Sequence, residues 1–233
     1  MKKKIFGILF FVVLIAWFCF HRVKGSNSFR LIPNVAISGS FPFELRKGDI
    51  LVRPNWGWLP GSCSVPNGRK YGHVAIVTNN VTGETIDEVL EKATVVEALF
   101  FDQRTREFQF DKKDQIRETK AGFSFGSRFK NIRYRLRLSL TDEQADLLIC
   151  FLRNQLNGGY NIFSQKKYFE SKAEKIQGLK KMKDQDWHCA SLVWEAFYLV
   201  IGIDLDSNKG FFIYPSDIIA HEVFDLPDGR VRF

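Results

Sequence analysis

Two short apolar runs in the first half of the chain place the tightest limit on its fold. Residues 71–78 (YGHVAIVT) and 94–101 (TVVEALFF) are rich in β-branched and aromatic side chains, so each predicts a buried strand. Residues 131–140 (NIRYRLRLSL) alternate apolar with basic side chains, which predicts a half-buried strand with a solvated basic face. KGDILVR at 47–53 adds a turn and a short strand. The four segments together predict a sheet.

Helical signals accompany and follow these strands. Residues 83–93 predict a short helix or excursion, and a capping box at 141–144 (TDEQ) opens a helix. The last strong helix covers 189–202, with Asp186 expected as its N-cap and Gly202 as its stop. Because three or four strands come first and helices flank them, the expected fold class is α+β.

The amino terminus carries a membrane signal. Residues 5–20 (IFGILFFVVLIAWFCF) are apolar throughout and follow three lysines. A spanning helix needs ~20 apolar residues, so the run suits a signal peptide, with an uncleaved anchor or a buried core helix as alternatives. We therefore expect a signal peptide or membrane anchor at 1–25, a linker at 26–43 and a folded domain at 44–233. Either a signal or an anchor places that domain outside the cytoplasm, in a periplasmic or extracellular position.

Composition narrows the function classes. Hydrophobic residues make up 45% of the 233 and charged residues 26%, which excludes a disordered or low-complexity chain. The formal net charge is +8, but five basic residues and no acid stand in the first 24 positions. Without those five, 29 basic residues face 26 acidic residues, a charge of about +3. Nucleic acid is therefore not expected as a partner.

Cysteine and histidine usage bears on cofactors and redox state. The chain has four cysteines, Cys19, Cys63, Cys150 and Cys189, of which an exported form without Cys19 keeps an odd number. A bridge between Cys63 and Cys150 remains open. The sequence shows no CxxC pair and no zinc spacing, and its four histidines are scattered. Neither a metal nor an organic cofactor is expected.

Cys189 is the candidate nucleophile. At the first turn of the predicted helix, free N–H groups and the helix dipole favour a thiolate and can receive an oxyanion. The alternative is a small buried hydrophobe that begins a core helix. The neighbouring His188 is expected to cap this helix or to lie at the surface.

His73 is the candidate general base, because it is the histidine that falls in a strand pattern. Glu97 stands in an apolar strand, where a carboxylate is costly to bury without a hydrogen bond. If the two strands are neighbours, Glu97 can orient the imidazole towards Cys189. The alternatives are a core histidine bound to a backbone carbonyl and a carboxylate that faces outward from an edge strand.

Five short blocks occur in a distinctive order along the chain. They are Gly48-Asp49-Ile50-Leu51, Gly72-His73-Val74-Ala75-Ile76, Val96-Glu97-Ala98, Gly159-Tyr160-Asn161 and Cys189-Ala190-Ser191-Leu192-Val193. With His73 ahead of Cys189, residues 44–220 resemble the circularly permuted NlpC-type papain-fold cysteine hydrolases, the YiiX-like group. The resemblance implies a small antiparallel sheet or barrel packed against helices. It also implies Cys189 as nucleophile, His73 as general base and Glu97 as the residue that orients it.

The chain departs from that family pattern in two places. Ala190 and Ser191 follow the cysteine where the family commonly has Ser and Glu, and the Lys-rich stretch 165–183 looks like an insertion. The related lecithin retinol acyltransferase-like proteins fit less well, because Trp187 and His188 precede the cysteine here. Four aromatic residues are candidates for substrate binding: Trp56, Trp58, Tyr71 and Tyr160. The two tryptophans either form a substrate platform or cover an edge of the core.

These features predict a secreted or membrane-anchored thiol hydrolase that cleaves an amide or ester bond. The resemblance implies cell-wall peptides or lipid-linked acyl groups as substrates, and residues 5–20 would contact the membrane if they stay uncleaved. One alternative is a non-catalytic, envelope-anchored module that binds such ligands in the same cleft. Another is a thiol acyltransferase that uses the same three residues.

Overall fold

The computed structural model describes residues 10–15, 42–54, 63–64, 70–102, 105–168, 185–206 and 210–233. Residues 10–15 are helical and exposed, whereas the rest of the predicted apolar run lies outside these ranges. Trp56, Trp58 and most of the Lys-rich stretch 165–183 also lie outside them. Within the described ranges, no helix has both the length and the apolar character that crossing a membrane requires.

An antiparallel sheet is the centre of the fold. Its strands follow the order β11-β10-β2-β4-β6-β9, with β3 paired to β4 outside that path. The strands are β2 (Ile50–Pro54), β3 (Cys63–Ser64), β4 (Lys70–Val77), β6 (Thr94–Ala98), β9 (Ile116–Lys120), β10 (Tyr134–Leu136) and β11 (Arg230–Arg232). Two small pairs accompany them, β1 (Phe43–Leu45) with β5 (Val81–Gly83) and β7 (Phe101–Asp102) with β8 (Glu107–Phe108). The strands predicted at 47–53, 71–78 and 94–101 are thus confirmed.

Five α-helices lie in the described part of the chain. Apart from the helical residues 10–15, they are α1 (Ile86–Lys92), α2 (Ala121–Phe125), α3 (Asp142–Arg153), α4 (Cys189–Ala196) and α5 (Pro215–Ala220), with 3-10 turns at Lys112–Asp114, Ser127–Phe129 and Glu222–Phe224. The predicted capping box is confirmed: Thr141 Oγ1 accepts from the Gln144 N–H and Gln144 Oε1 accepts from the Thr141 N–H. A π-helical turn, Phe197–Ile201, continues α4 until Gly202 ends it at a φ of +82°.

Apolar side chains pack on both faces of the sheet. On one face Val52, Val74 and Ile76 share a core with α3, α4 and α5. On the other face Leu51 and Ala75 share a second core with α1 and α2, among other elements. Because successive side chains of a strand point to opposite faces, covering both faces explains why β4 reads as a continuous apolar run. The α+β class is therefore confirmed, with the antiparallel sheet as the middle layer.

The predicted basic face at 131–140 is wrong. Arg133, Arg135 and Arg137 are all buried, and the strand itself spans only Tyr134–Leu136. Arg137 reaches Asp49 with two hydrogen bonds, Nε to Oδ1 at 2.7 Å and Nη2 to Oδ2 at 2.6 Å. Alternation reports polarity rather than exposure, and a long arginine side chain stays in a protein interior when its guanidinium is hydrogen-bonded.

Candidate active site

Cys189 is the first residue of α4, and its sulfur faces the backbone of β4. Its Sγ lies 4.0 Å from the Gly72 carbonyl oxygen, and the backbone N–H groups of Val74 and Ala190 are directed to the sulfur. Burial raises the pKa of this thiol to about 12, although those N–H groups and the charge of Arg53 act in the opposite sense. The resting structure therefore holds a neutral thiol at neutral pH.

His73 and Glu97 form a buried pair on neighbouring strands. His73 Nε2 lies 2.7 Å from Glu97 Oε2, and both side chains are almost fully buried. Burial lowers the pKa of His73 to about 4, and the positive charge of Arg53 adds to that effect. Burial alone would raise the pKa of Glu97, but its contacts with His73, Arg117 and Ser124 hold it well below the usual range. A neutral imidazole next to an ionised carboxylate donates from Nε2, which leaves the Nδ1 lone pair as the basic site.

Further donors fix the Glu97 carboxylate. Arg117 Nε donates to Oε1 at 3.0 Å, and Ser124 Oγ donates to the same oxygen at 2.8 Å. Arg117 in turn binds Asp102, with Nη1 at 2.8 Å from Oδ2. Because β6 lies between β4 and β9, Glu97 does not stand on an edge strand, and that alternative is wrong. Sequence reasoning missed Arg117 and Ser124, since neither stands in a distinctive pattern.

Cys189 contacts the stretch of β4 that carries His73. Gly72 and Val74, which contact the sulfur, are the residues on both sides of His73 in the chain. The His73 ring stacks on Phe125, a residue of the second core, with ring centroids 5.6 Å apart. Within the described residues, no hydrogen bond joins His73 to Cys189. The structure thus brings His73 and Glu97 into contact and places Cys189 beside them without a direct bond.

His188 is closer to the sulfur than the sequence suggested. Its Nε2 lies 3.8 Å from Cys189 Sγ, and its Nδ1 accepts from the Ala190 N–H at 3.4 Å. His188 caps α4 as predicted, but it is buried, so a surface position is wrong. The predicted N-cap Asp186 instead accepts from the Gly159 N–H at 2.8 Å. A histidine can accept from an N-terminal amide through its ring nitrogen, so His188 rather than Asp186 is the N-cap of a helix that starts at Cys189 as predicted.

Arg53 is a buried cation directly across β2 and β4 from His73. Its Nη1 donates to the Pro54 carbonyl at 3.1 Å, and its guanidinium lies 4.6 Å from the centroid of the Phe129 ring. Burial lowers its pKa to about 9, so it keeps its positive charge at neutral pH. The sequence marked Arg53 only as the end of a strand, and no local signal distinguished it.

The aromatic candidates fall in different places. Tyr160 stacks on Phe100 with ring centroids 5.9 Å apart and packs edge-on against His188 at 5.7 Å. Burial, with the nearby Cys189 as a further cause, raises the pKa of Tyr160 well above its usual range. Tyr71 lies in β4, packed edge-on against the Tyr134 ring at 5.8 Å. Trp56 and Trp58 are not among the described residues.

The chemistry available here is that of a thiol next to an imidazole–carboxylate pair. In the described ranges, no three His, Cys, Asp or Glu side chains are grouped as ligands for a metal ion. Cys150 carries a free exposed thiol, so it is not bridged to Cys63.

Comparison with known proteins adds one short match. No family model matches the chain, and no solved structure matches it. A 33-residue stretch is 52% identical to the uncharacterized protein YycO of Bacillus subtilis (strain 168), which covers 14% of this chain and 14% of that protein. A match of this length shows no family, so the side chains around Cys189 carry the functional proposal.

Proposed function

We propose that the chain is a thiol hydrolase that cleaves an amide or ester bond, with Cys189 as nucleophile and His73 as general base. The observation that carries this proposal is the buried 2.7 Å pair of His73 and Glu97 beside the strand backbone that Cys189 contacts. A nucleophile, a base and a group that orients the base are the parts that covalent acyl transfer requires. A permuted papain-like arrangement, in which the His strand precedes the Cys helix, belongs to the same proposal.

The reaction proceeds in two stages. His73 Nδ1 takes the Cys189 proton while the thiolate attacks the substrate carbonyl carbon, and Glu97 stabilises the imidazolium that forms. The imidazolium then gives its proton to the leaving amine or alcohol as the carbonyl–leaving-group bond breaks, which leaves a thioester on Cys189. A water molecule, deprotonated by His73, attacks the thioester, releases the acid and restores the thiol.

The reaction requires Sγ and Nδ1 to approach each other. Catalytic hydrogen bonds are often long or misaligned before substrate binds, so substrate binding has to bring the two atoms together. The raised pKa of the thiol fits general-base catalysis, in which the proton leaves during attack, rather than a preformed ion pair. The same raised pKa is the observation that favours the alternative, a non-catalytic module that binds ligands in this cleft.

Substrate and location follow from the sequence resemblance. We propose an extracytoplasmic domain, either exported or anchored through residues 5–20, acting on cell-wall peptides or lipid-linked acyl groups. Transfer of the acyl group to an acceptor other than water would use the same residues and differ only in its product. The chemistry needs no metal or organic cofactor.

Trapping of an acyl-enzyme tests the function. The full chain is mixed with p-nitrophenyl acetate and butyrate, and intact-protein and peptide mass spectrometry locate the adduct. We expect a burst of p-nitrophenol and an acyl group on Cys189, both abolished in Cys189→Ser. The control variant Cys150→Ser removes the exposed thiol and should leave the burst intact. An adduct that forms on Cys150 alone would contradict the proposal.

A further inference from the structure

The buried arginines of this fold differ in what they bind. Arg135, Arg137 and Arg230 each contact a carboxylate, and Arg133 donates to the carbonyls of Phe125 and Gly126. Arg53 is as deeply buried, yet within the described residues its one hydrogen bond goes to the carbonyl of its own neighbour. A buried guanidinium without a carboxylate is costly, which raises the question of what it is kept for.

The nearby acid does not fill that role. Glu97 is occupied by His73, Arg117 and Ser124, and it makes no ion pair with Arg53 among the described residues. Asp102, the other acid whose charge acts on Arg53, is bound by Arg117. The Arg53 Nε atom is buried with no hydrogen-bond partner in the described part of the chain. Arg53 therefore has N–H groups left to bind an anion beside Cys189, the candidate nucleophile.

The backbone directs Arg53 to this place. The pairing of β2 with β4 shifts register after Arg53, so that His73 opposes Arg53 and Tyr71 opposes Pro54. The skipped residue is Gly72, whose carbonyl faces the Cys189 sulfur. Irregularities of this kind re-aim side chains and are frequent next to active sites. The strand position opposite Arg53 therefore adjoins Gly72, whose carbonyl oxygen lies 4.0 Å from Cys189 Sγ.

We propose that Arg53 is an anion-binding group beside Cys189, which selects ligands that carry a carboxylate close to the carbon that the thiolate attacks. This substrate preference rests on the hydrolase function proposed above. The guanidinium donates to the carboxylate through N–H groups that the protein leaves unused, while Phe125 and Phe129 hold its plane. Neutral acyl groups lack this contact and bind more weakly.

A pair of alkylating reagents tests the preference. Iodoacetate and iodoacetamide both form a bond from Cys189 Sγ to carbon with loss of iodide, but only iodoacetate carries a carboxylate next to that carbon. Peptide mass spectrometry of the full chain gives the rate at Cys189 for each reagent. Both reagents must reach the same buried thiol, so the ratio of the two rates does not depend on how accessible that thiol is. We expect the ratio to exceed that of N-acetylcysteine by about tenfold.

Variants assign the effect to Arg53. Arg53→Gln should reduce the ratio to that of N-acetylcysteine, whereas Arg53→Lys, which keeps the charge, should retain part of it. The control Arg128→Gln removes an exposed cation from the same neighbourhood and should leave the ratio unchanged. A ratio no higher than that of N-acetylcysteine in the parent, or an equal ratio in Arg53→Gln, would overturn the proposal.

A second measurement needs no reactive thiol. Succinate should raise the thermal midpoint Tm of the parent more than the neutral succinamide does, and this difference should vanish in Arg53→Gln. Equal shifts in parent and variant would overturn the anion site. The experiments distinguish failure of one proposal from failure of the other. If Arg53 governs the preference but no acyl-enzyme forms, the anion site stands and the protein is a binding module. An acyl-enzyme without the preference keeps the hydrolase and removes the anion site.

Discussion

Charge at the candidate site is held in a fixed pattern at neutral pH. Glu97 is ionised, His73 and Cys189 are neutral, and Arg53 is positive. Moving the thiol proton to His73 creates an imidazolium next to Glu97 and a thiolate acted on by Arg53. Each new charge thus meets an opposite charge that is already in position, which is how a preorganised site lowers the barrier to proton transfer.

Glu97→Gln should weaken both the site and the fold. The variant loses the carboxylate that stabilises the imidazolium, so acylation of Cys189 should slow by about 10²-fold to 10⁴-fold. It also removes one of the two carboxylates that pair with partly buried Arg117, which should cost about 1–3 kcal/mol of unfolding free energy. Stopped-flow p-nitrophenol release and urea denaturation measure the two effects.

The matched control for that variant is Glu118→Gln. Glu118 is a partly exposed acid on the strand that pairs with β6, and it binds Arg153. Its loss should change the unfolding free energy by no more than about 1 kcal/mol and leave acylation unaltered. Equal losses in the two variants would contradict the role given to Glu97.

His73 should make stability depend on pH in a defined window. Its pKa is 6.5 when exposed and about 4 in the fold, so between these values the unfolded chain binds the proton more strongly. Stability is therefore full above about pH 6.5 and falls as the pH drops towards 4, by on the order of 3 kcal/mol. Urea midpoints at pH 7, 6, 5 and 4 measure this fall. In His73→Asn the fall should be shallower, and an identical slope in parent and variant would count against a neutral buried His73.

At the scale of single elements, the start of α4 decides where the sulfur lies. His188 Nδ1 accepts from the Ala190 N–H, and Ser191 Oγ accepts from the His188 N–H, so the first turn is capped from both directions. This cap fixes Cys189 as the first helical residue, with its sulfur against Gly72 and Val74. The start of α4 is therefore set by these side-chain-to-backbone hydrogen bonds rather than by Cys189 itself.

His188 variants separate a cap from a base. Asn accepts from an N-terminal amide as well as histidine does, so His188→Asn should keep the unfolding free energy within about 0.5 kcal/mol of the parent, whereas His188→Ala should lose about 1 kcal/mol. If His188 only caps, the acylation rate of Cys189 stays unchanged in His188→Asn. A loss of acylation in His188→Asn with normal stability would identify His188, rather than His73, as the general base.

Local sequence patterns predicted the helices and strands better than they predicted what surrounds the side chains of those elements. β4, β6 and the α3 capping box were predicted because β-branched runs and the TDEQ pattern act within a few residues. The basic face at 131–140 was predicted wrongly, since the carboxylates that receive Arg137 come from Glu44, Asp49 and Asp228. Distant partners of this kind leave no trace in local periodicity.

At the scale of the whole molecule, the sheet separates two cores. The candidate site lies along β4, which contributes side chains to both cores. Cys189 belongs to the core of α3, α4 and α5, while His73 faces the core that contains Phe125. The pairing of His73 with Glu97 was foreseeable because each lies among apolar residues in the middle of its strand. The approach of α4 to β4 joins residues more than a hundred positions apart, so local patterns could not predict it. It was expected only from what a nucleophilic cysteine needs and from the family resemblance.

Arg137 ties distant parts of the fold together without touching the site. It binds Asp49 before β2, Glu44 in β1 and Asp228 before β11. Arg137→Met should cost about 3–5 kcal/mol of unfolding free energy, because it leaves buried Asp49 unpaired. Urea denaturation measures the loss. Acylation of Cys189 at 25 °C should stay normal in the folded fraction, and a proportional loss of acylation would contradict the separation of stability from catalysis.

The pH dependence of Cys189 alkylation by iodoacetamide, in the parent and in His73→Ala, tests the central claim most directly. If His73 is the general base, the rate should be nearly constant between pH 5 and pH 8, because a neutral imidazole is available throughout that range. Removing His73 should then slow labelling at pH 6 by about 10²-fold or more. A thiol with its pKa raised to about 12 and no base would instead react about tenfold faster for each pH unit, with or without His73. That second result would make Cys189 a core residue and favour the non-catalytic binding module as the function.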